Sequence, residues 1–206
     1  MKDRIVGYLV RHGETTTNAD GRYRSWSDPP LNDKGLVQAR AAAKFLSKEP
    51  IKHIISSPLL RAFITADIIA GPHKLQVFQH RGLFPWRLGI FTGLPKDENG
   101  DALRLFVSNP EVCMPEGESL NDFEERQFAF WQASLEMAHD GGLTVYIAHT
   151  SNVTALVNFT EGAHDIEPEF GDSVKPGGVA AIYFNGKQHR IEPIFGNVEE
   201  AVFGGS

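Results

Sequence analysis

Two apolar runs, 5–10 and 143–148, the second interrupted only by Thr144, stand out in a chain whose hydrophobic and polar positions are otherwise interspersed. Both are strand-length and free of charge, the pattern of strands buried on both faces of a parallel sheet. A helix-forming stretch follows the first: Leu36, Val37, Ala41, Ala43, Phe45 and Leu46 are its apolar positions, and Lys34, Arg40 and Lys44 are left for solvent. This spacing predicts a helix N-capped by Asn32 and closed by Pro50. After a short strand at 53–56, Ile64, Ile68 and Ile69 repeat the helical spacing over 60–70, where Gly71-Pro72 stops it, and 75–78 form a third short strand. Residues 13–30 read as a polar loop. Residues 79–119 scatter Gly, Pro and aromatic side chains without a long period, so they read as loops and short helical pieces over the sheet. A long helix starts at Ser119 or Asn121 and runs to about residue 139, ended by Gly141-Gly142. A shorter helix occupies 151–158, and 179–184 with 189–194 form a hairpin around Asn185-Gly186.

Strands alternating with helices make an α/β sandwich with a mostly parallel sheet and an antiparallel hairpin near one edge. The 206 residues fit one domain with a minor insertion better than two domains, and no linker or internal repeat divides them. A content of 41% hydrophobic and 22% charged residues excludes the disordered and collagen-like classes. The formal net charge of -6 argues against nucleic acid, because a mildly acidic surface repels a phosphate backbone. The single cysteine, Cys113, forms no internal disulfide and has no metal-ligand spacing, which points to a reducing compartment. The first apolar run is too short for a signal peptide or a membrane span, and His149, Ser151, Asn152 and Asn158 break up the stretch after the second. The expectation is a soluble, cytoplasmic protein with no membrane or nucleic-acid partner.

Ligands of open α/β sheets bind beyond the carboxyl ends of the strands. Here two strands end in the same chemistry, the first running into Arg11-His12 and the second into His149. Neutral imidazole attacks phosphorus readily, and the phosphohistidine it forms is labile enough to hydrolyse. Such a nucleophile needs charge neutralisation around it. Arg11 adjoins His12, and Arg61 opens a helix where its guanidinium can fork onto phosphoryl oxygens. Gly13 would let the backbone approach the anion, Thr15, Thr17 and Asn18 add neutral donors, and His149 would stabilise the equatorial oxygens of the transferring group. Singly, each also fits a satisfied structural histidine or a solvated charge; their combination carries the signal.

Leu9-Val10-Arg11-His12-Gly13-Glu14-Thr15, with Asn18 three residues on, resembles the signature of the histidine phosphatase superfamily, the phosphoglycerate mutase-like proteins. Asp28-Pro29-Pro30-Leu31-Asn32-Asp33-Lys34-Gly35, Ser56-Ser57-Pro58-Leu59-Leu60-Arg61-Ala62, Pro115-Glu116-Gly117-Glu118-Ser119 and Ala148-His149 follow in the family's order, so the likeness spans nearly the whole chain. The resemblance implies a three-layer α/β sandwich over residues 1–206, with substrate specificity carried by about 79–119 and with no metal or other cofactor. It implies His12 as the residue phosphorylated in turnover and Arg11, Arg61 and His149 as the phosphate pocket.

The family usually places a glutamate after the third strand as proton donor to the leaving group, and aligning Leu83, Gly89 and Gly93 puts Pro85 there. A second branch places an aspartate directly after the second histidine, where this chain has Thr150. Glu118 is the substitute candidate for catalytic acid, although beside Ser119 it also reads as charge complementing a helix N-terminus. His80 is a further possibility, with an exposed loop histidine as its plainer reading. Glu14 reads as support for the loop, since a carboxylate beside the phosphoryl group would repel it. Trp26, Phe84, Trp86 and Phe91 either line a pocket or pack ordinarily. Arg22, Arg24, Arg81 and Arg87 favour a second anionic group on the substrate if they face the pocket. His53, His73, His139, His164 and His189 show no ligand spacing and take no role. The expected activity is a phosphomonoesterase on a small phosphorylated substrate, working through phosphohistidine. A phosphate-binding protein without turnover is the alternative, and a mutase is disfavoured by the missing acid, because it must exchange protons with substrate hydroxyls.

Overall fold

The computed structural model describes residues 3–162 and 174–196, apart from the side chains of 138–141. Its centre is β1 (Arg4–Arg11), which pairs in parallel with β4 (Leu143–Ala148) on one side and antiparallel with β5 (Val179–Phe184) on the other. β2 (Ile51–Ser56) and β3 (Val77–Gln79) extend the parallel part, and β6 (His189–Phe195) completes the hairpin, giving the order β3-β2-β4-β1-β5-β6. The sheet is mostly parallel with an antiparallel edge, as the alternation of elements implies.

Alternate residues of the two apolar runs feed opposite layers, so neither run has a polar face. Tyr8, Val10, Val145 and Ile147 pack against Ala42 and Leu46 of α2 (Asp33–Leu46) and Ala66 and Ile69 of α3 (Leu60–His73). Val6, Leu9, Tyr146 and Ala148 pack against Trp131 and Leu135 of α5 (Leu120–Gly141) and Val153 and Leu156 of α6 (Thr150–Glu161). Each large apolar side chain so buried contributes about 1.5–3 kcal/mol. A third cluster of Trp86, Leu88, Phe91, Met114, Leu120 and Phe123 anchors the long connection between β3 and α5. Among the described residues, no helix is long and apolar enough to cross a membrane.

Three elements depart from the sequence pattern. The polar loop after β1 contains the short helix α1 (Thr16–Ala19). The connection at 79–119 contains, besides 3-10 turns at Arg81–Leu83 and Gly89–Phe91, the 12-residue helix α4 (Lys96–Val107), which buries no residue fully but packs Leu103, Phe106 and Val107 against the third cluster. α3 runs through Gly71-Pro72 to His73, and Lys74 closes it in the left-handed conformation at φ 55, with its N–H on the carbonyls of Ala70 and Gly71. Proline in the last turn removes only one ladder donor, so the helix absorbs it there.

Candidate active site

The register of the two central strands builds the site. Arg11 pairs with Ala148, and His12 N–H donates to the Ala148 carbonyl at 3.1 Å, so the residues that follow β1 and β4 emerge side by side. The rings of His12 and His149 stand edge-on with centroids 5.0 Å apart. β2 ends beside β4: Ser57 N–H donates to Ile147 O at 2.9 Å, and the Ser57 hydroxyl hydrogen-bonds His149 Nε2 at 2.9 Å. One turn later Arg61, 1% exposed, points its Nε–H at His12 Nε2 across 3.3 Å. Its two terminal nitrogens donate to Ser27 O at 2.6 Å and Ser25 O at 2.9 Å, and Asp28 lies 3.9 Å away. Arg11 Nη1 donates to Val174 O at 3.0 Å. The four residues expected to form the pocket, Arg11, His12, Arg61 and His149, are thus brought together.

His12 Nδ1 lies 2.7 Å from Gly13 O, and a carbonyl can only accept, so Nδ1 carries the proton and Nε2 presents its lone pair. Burial, and after it the charges of Arg61 and Arg24, hold His12 well below the ordinary histidine range, outweighing the Gly13 bond; Arg11 pushes the same way. His149 is lowered likewise, first by burial, then by Arg61, His12, Arg24 and Arg11. Both rings are therefore neutral near pH 7. The fully buried His149 Nδ1 has no partner among the described residues, which leaves it for a ligand. Burial also brings Arg61 down to about 10, with Asp28 opposing, so it stays charged at neutral pH.

A cavity of about 230 Å³ opens onto Arg61 and His149. Tyr23, Trp86, Leu88, Leu103 and Val107 form an apolar wall, and Arg24, Lys96, Thr150 and Ser151 add polar groups. Among the described residues that line it, none is a carboxylate. Pro85 is part of the wall, and its carbonyl accepts from Trp26 Nε1 at 2.9 Å. Of Arg22, Arg24, Arg81 and Arg87, the candidates for a second anionic group, Arg24 faces the cavity. Arg22 donates to Gly93 O at 2.8 Å, Arg87 lies over the Trp26 ring at 5.2 Å, and Arg81 is exposed. Of the four aromatics only Trp86 lines the cavity; Trp26 stacks on Phe84 at 4.5 Å, and Phe91 is core. His80 caps its own turn by accepting from Gly82 N–H at 3.0 Å.

Three of the expected site residues are engaged with other partners. Gly13 N–H donates to Thr65 Oγ1 at 3.1 Å, and a Cβ on Gly13 would meet Gly35 O at 2.4 Å. The close pass of α2 by itself requires glycine there. Thr15 donates its hydroxyl to Asn18 Oδ1 at 2.9 Å within the cap of α1, so it is no spare phosphate donor, and Asn18 retains only its amide N–H groups for one. Glu118 accepts from Arg126 at 2.8 Å and from Arg87 N–H at 2.9 Å and does not line the cavity. It ties the turn to α5 and the wall instead. Glu14 takes the supporting role expected of it, accepting from Asn32 at 3.0 Å and pairing with Lys34 at 3.3 Å.

Ser57 carries part of the site that its motif did not by itself assign, and Asn152 and Gln127 carry parts that no sequence signal indicated. Asn152 accepts from His149 N–H and donates to Gln127 Oε1 at 2.9 Å and Phe84 O at 3.1 Å, while Gln127 donates to Gly82 O at 2.6 Å. This wholly buried pair locks the segment before Pro85 to the start of α6.

The sequence model of the Histidine phosphatase superfamily (branch 1) matches residues 7–193. The chain belongs to this superfamily. It is 34% identical over 156 residues to a probable phosphoglycerate mutase of Cronobacter sakazakii, covering 73% of this chain and 72% of that one. Among solved structures, a phosphoglycerate mutase of Bacillus anthracis superposes with a TM-score of 0.78 at 24% identity, over 97% of this chain and 96% of that one. A mycobacterial glucosyl-3-phosphoglycerate phosphatase in complex with VO3 superposes with a TM-score of 0.74 at 25% identity, over 92% and 98%. The neighbours of this histidine phosphatase superfamily member therefore include both phosphatases and mutases.

Proposed function

We propose that the protein is a phosphomonoesterase that acts on a small phosphorylated substrate through a phosphohistidine at His12. The observation that carries this reading is the tautomer of His12: Nδ1–H is committed to Gly13 O, and the bare Nε2 lies under Arg61. The incoming phosphoryl group replaces the Arg61–His12 contact, with Arg61, Arg11, the Asn18 amide and His149 Nδ1–H on its oxygens. The Nε2–P bond forms as the ester P–O bond breaks. Because Nδ1 keeps its proton, the phosphorylated ring is a good leaving group when water attacks phosphorus. A cavity wall without a carboxylate among its described residues supports hydrolysis over mutase chemistry, which needs proton exchange with the bound product. Cys113, free and exposed, supports a reducing compartment, and we place the protein in the cytoplasm.

The test is acid-free quenching after mixing with 4-nitrophenyl phosphate, followed by mass spectrometry of the His12 peptide, alongside steady-state release of inorganic phosphate. A phosphorylated His12 peptide, and loss of both signals in His12→Ala, are expected. Phosphate release unchanged in His12→Ala would overturn the reading, and binding of phosphate with no release at all would make the protein a phosphate-binding one.

A further inference from the structure

An ester oxygen leaves phosphorus with the bonding electron pair, so it departs as an anion unless an acid protonates it in the transition state. The described cavity wall offers no such acid. No carboxylate lines it, Pro85 is part of it, and Glu118 is held by Arg126 and the Arg87 N–H outside it. His149 is buried among arginines that oppose its cationic form, and the N–H of a neutral imidazole is far too weak an acid for the task. Burial raises the Tyr23 phenol, which makes it a poorer donor than an exposed tyrosine. What the wall does offer is positive charge from Arg24 and Lys96, and apolar surface from Trp86, Leu88, Leu103 and Val107. Fixed charge of this kind stabilises a departing anion without protonating it.

We propose that the site acts on phosphomonoesters whose leaving groups are weakly basic and apolar, aryl phosphates above all, and discriminates against alkyl phosphates of the same shape. This rests on the phosphohistidine reading. His12 Nε2 bonds to phosphorus, and the P–O bond breaks with its electron pair on the aryl oxygen, which leaves as aryloxide beside the two cations. Water then adds to phosphorus and Nε2 departs with its own pair. One proton of that water stays on the phosphate, and the other neutralises the aryloxide in solvent. No oxidant, metal or further reactant is needed.

The deciding measurement compares kcat/KM for phenyl, 4-nitrophenyl and benzyl phosphate on the intact protein, with His12→Ala as the blank. Phenyl and benzyl phosphate differ by one methylene in shape, yet one releases a phenoxide and the other a much more basic alkoxide. Because kcat/KM reports steps up to the first irreversible one, slow hydrolysis of the phosphohistidine cannot mask the comparison. Phenyl phosphate should exceed benzyl phosphate by about 10²-fold or more, the range that a general acid supplies, with 4-nitrophenyl phosphate faster still. Benzyl and phenyl phosphate turned over at similar rates above the blank would overturn this proposal and leave the phosphohistidine reading standing. Turnover of none of the three above the blank would overturn both.

Discussion

At the scale of single residues, the site is two neutral histidines buried among arginines, and this arrangement has a cost that can be read out. His12 and His149 both titrate below the ordinary histidine range when folded, chiefly through burial. In the unfolded chain each takes up a proton near its ordinary value, so below about pH 6.5 the unfolded state binds more protons and stability falls as pH falls. Each group adds up to about 1.4 kcal/mol per pH unit to that slope until its folded value is reached. Replacing His149 with Gln removes one contribution. The thermal midpoint of H149Q should therefore fall less steeply than wild type between about pH 7 and about pH 5; parallel curves would show that His149 is not held neutral. Arg11, His12, Arg61 and His149 were legible in the sequence because each is covalently next to, or one turn beyond, a strand end. The partner of Thr15, Asn18, is a local cap, whereas those of Gly13 and Glu118 were not legible, because Gly13 answers to Gly35 and Thr65, and Glu118 to Arg126, contacts made only in the folded chain.

Elements hold these residues in register through close backbone contact. The first turn of α2 passes the loop after β1 so tightly that a Cβ on Gly35 would sit 2.0 Å from Glu14 O. Gly35 N–H is also the donor to the capping Asn32 side chain, at 2.8 Å. Gly35→Ala must push the helix and the His12 loop apart, with an overpacking cost of about 1–3 kcal/mol. Gly100, inside α4, has nothing within 4 Å of its Cβ position, and Gly100→Ala should instead stabilise by about 0.4–1 kcal/mol. Urea denaturation of both variants checks the contrast, with kcat falling for G35A alone; a G35A midpoint equal to wild type would mean the contact yields without strain. The strands and most helices were readable because their apolar periods and caps are local, Asn32 and Ser119 among them. α4 was not, since Gly93, Pro95 and Gly100 in and around it read as loop punctuation although Leu103, Phe106 and Val107 pack on the core at helical spacing, and the proline of α3 misled because position within a helix, not presence, decides its effect.

On the scale of the whole molecule, the site lies where the layers meet: the end of β1 and the residue after it supply Arg11 and His12, α3 supplies Arg61, and the N-cap of α6 supplies His149, each from a different part of the sandwich. Cationic side chains gather here in a chain whose formal net charge is -6. An anion bound among them ties both helical layers to the sheet, and none of these groups is assembled in the unfolded chain. Binding therefore adds to global stability by linkage, about 2.7 kcal/mol when the free anion is at 100 times its dissociation constant. For a chain of this size that corresponds to a rise of about 5–10 °C in the thermal midpoint. Inorganic phosphate, the product of the proposed reaction, is the probe, with sodium chloride at matched ionic strength as the control for screening. Arg61→Met keeps an unbranched apolar stem but removes the guanidinium, and it also frees the carbonyls of Ser25 and Ser27, so its midpoint without ligand will shift. The quantity to compare is the phosphate-induced increment within each protein. That increment should be large in wild type and absent in R61M; equal increments in both would move phosphate binding away from the junction of the layers.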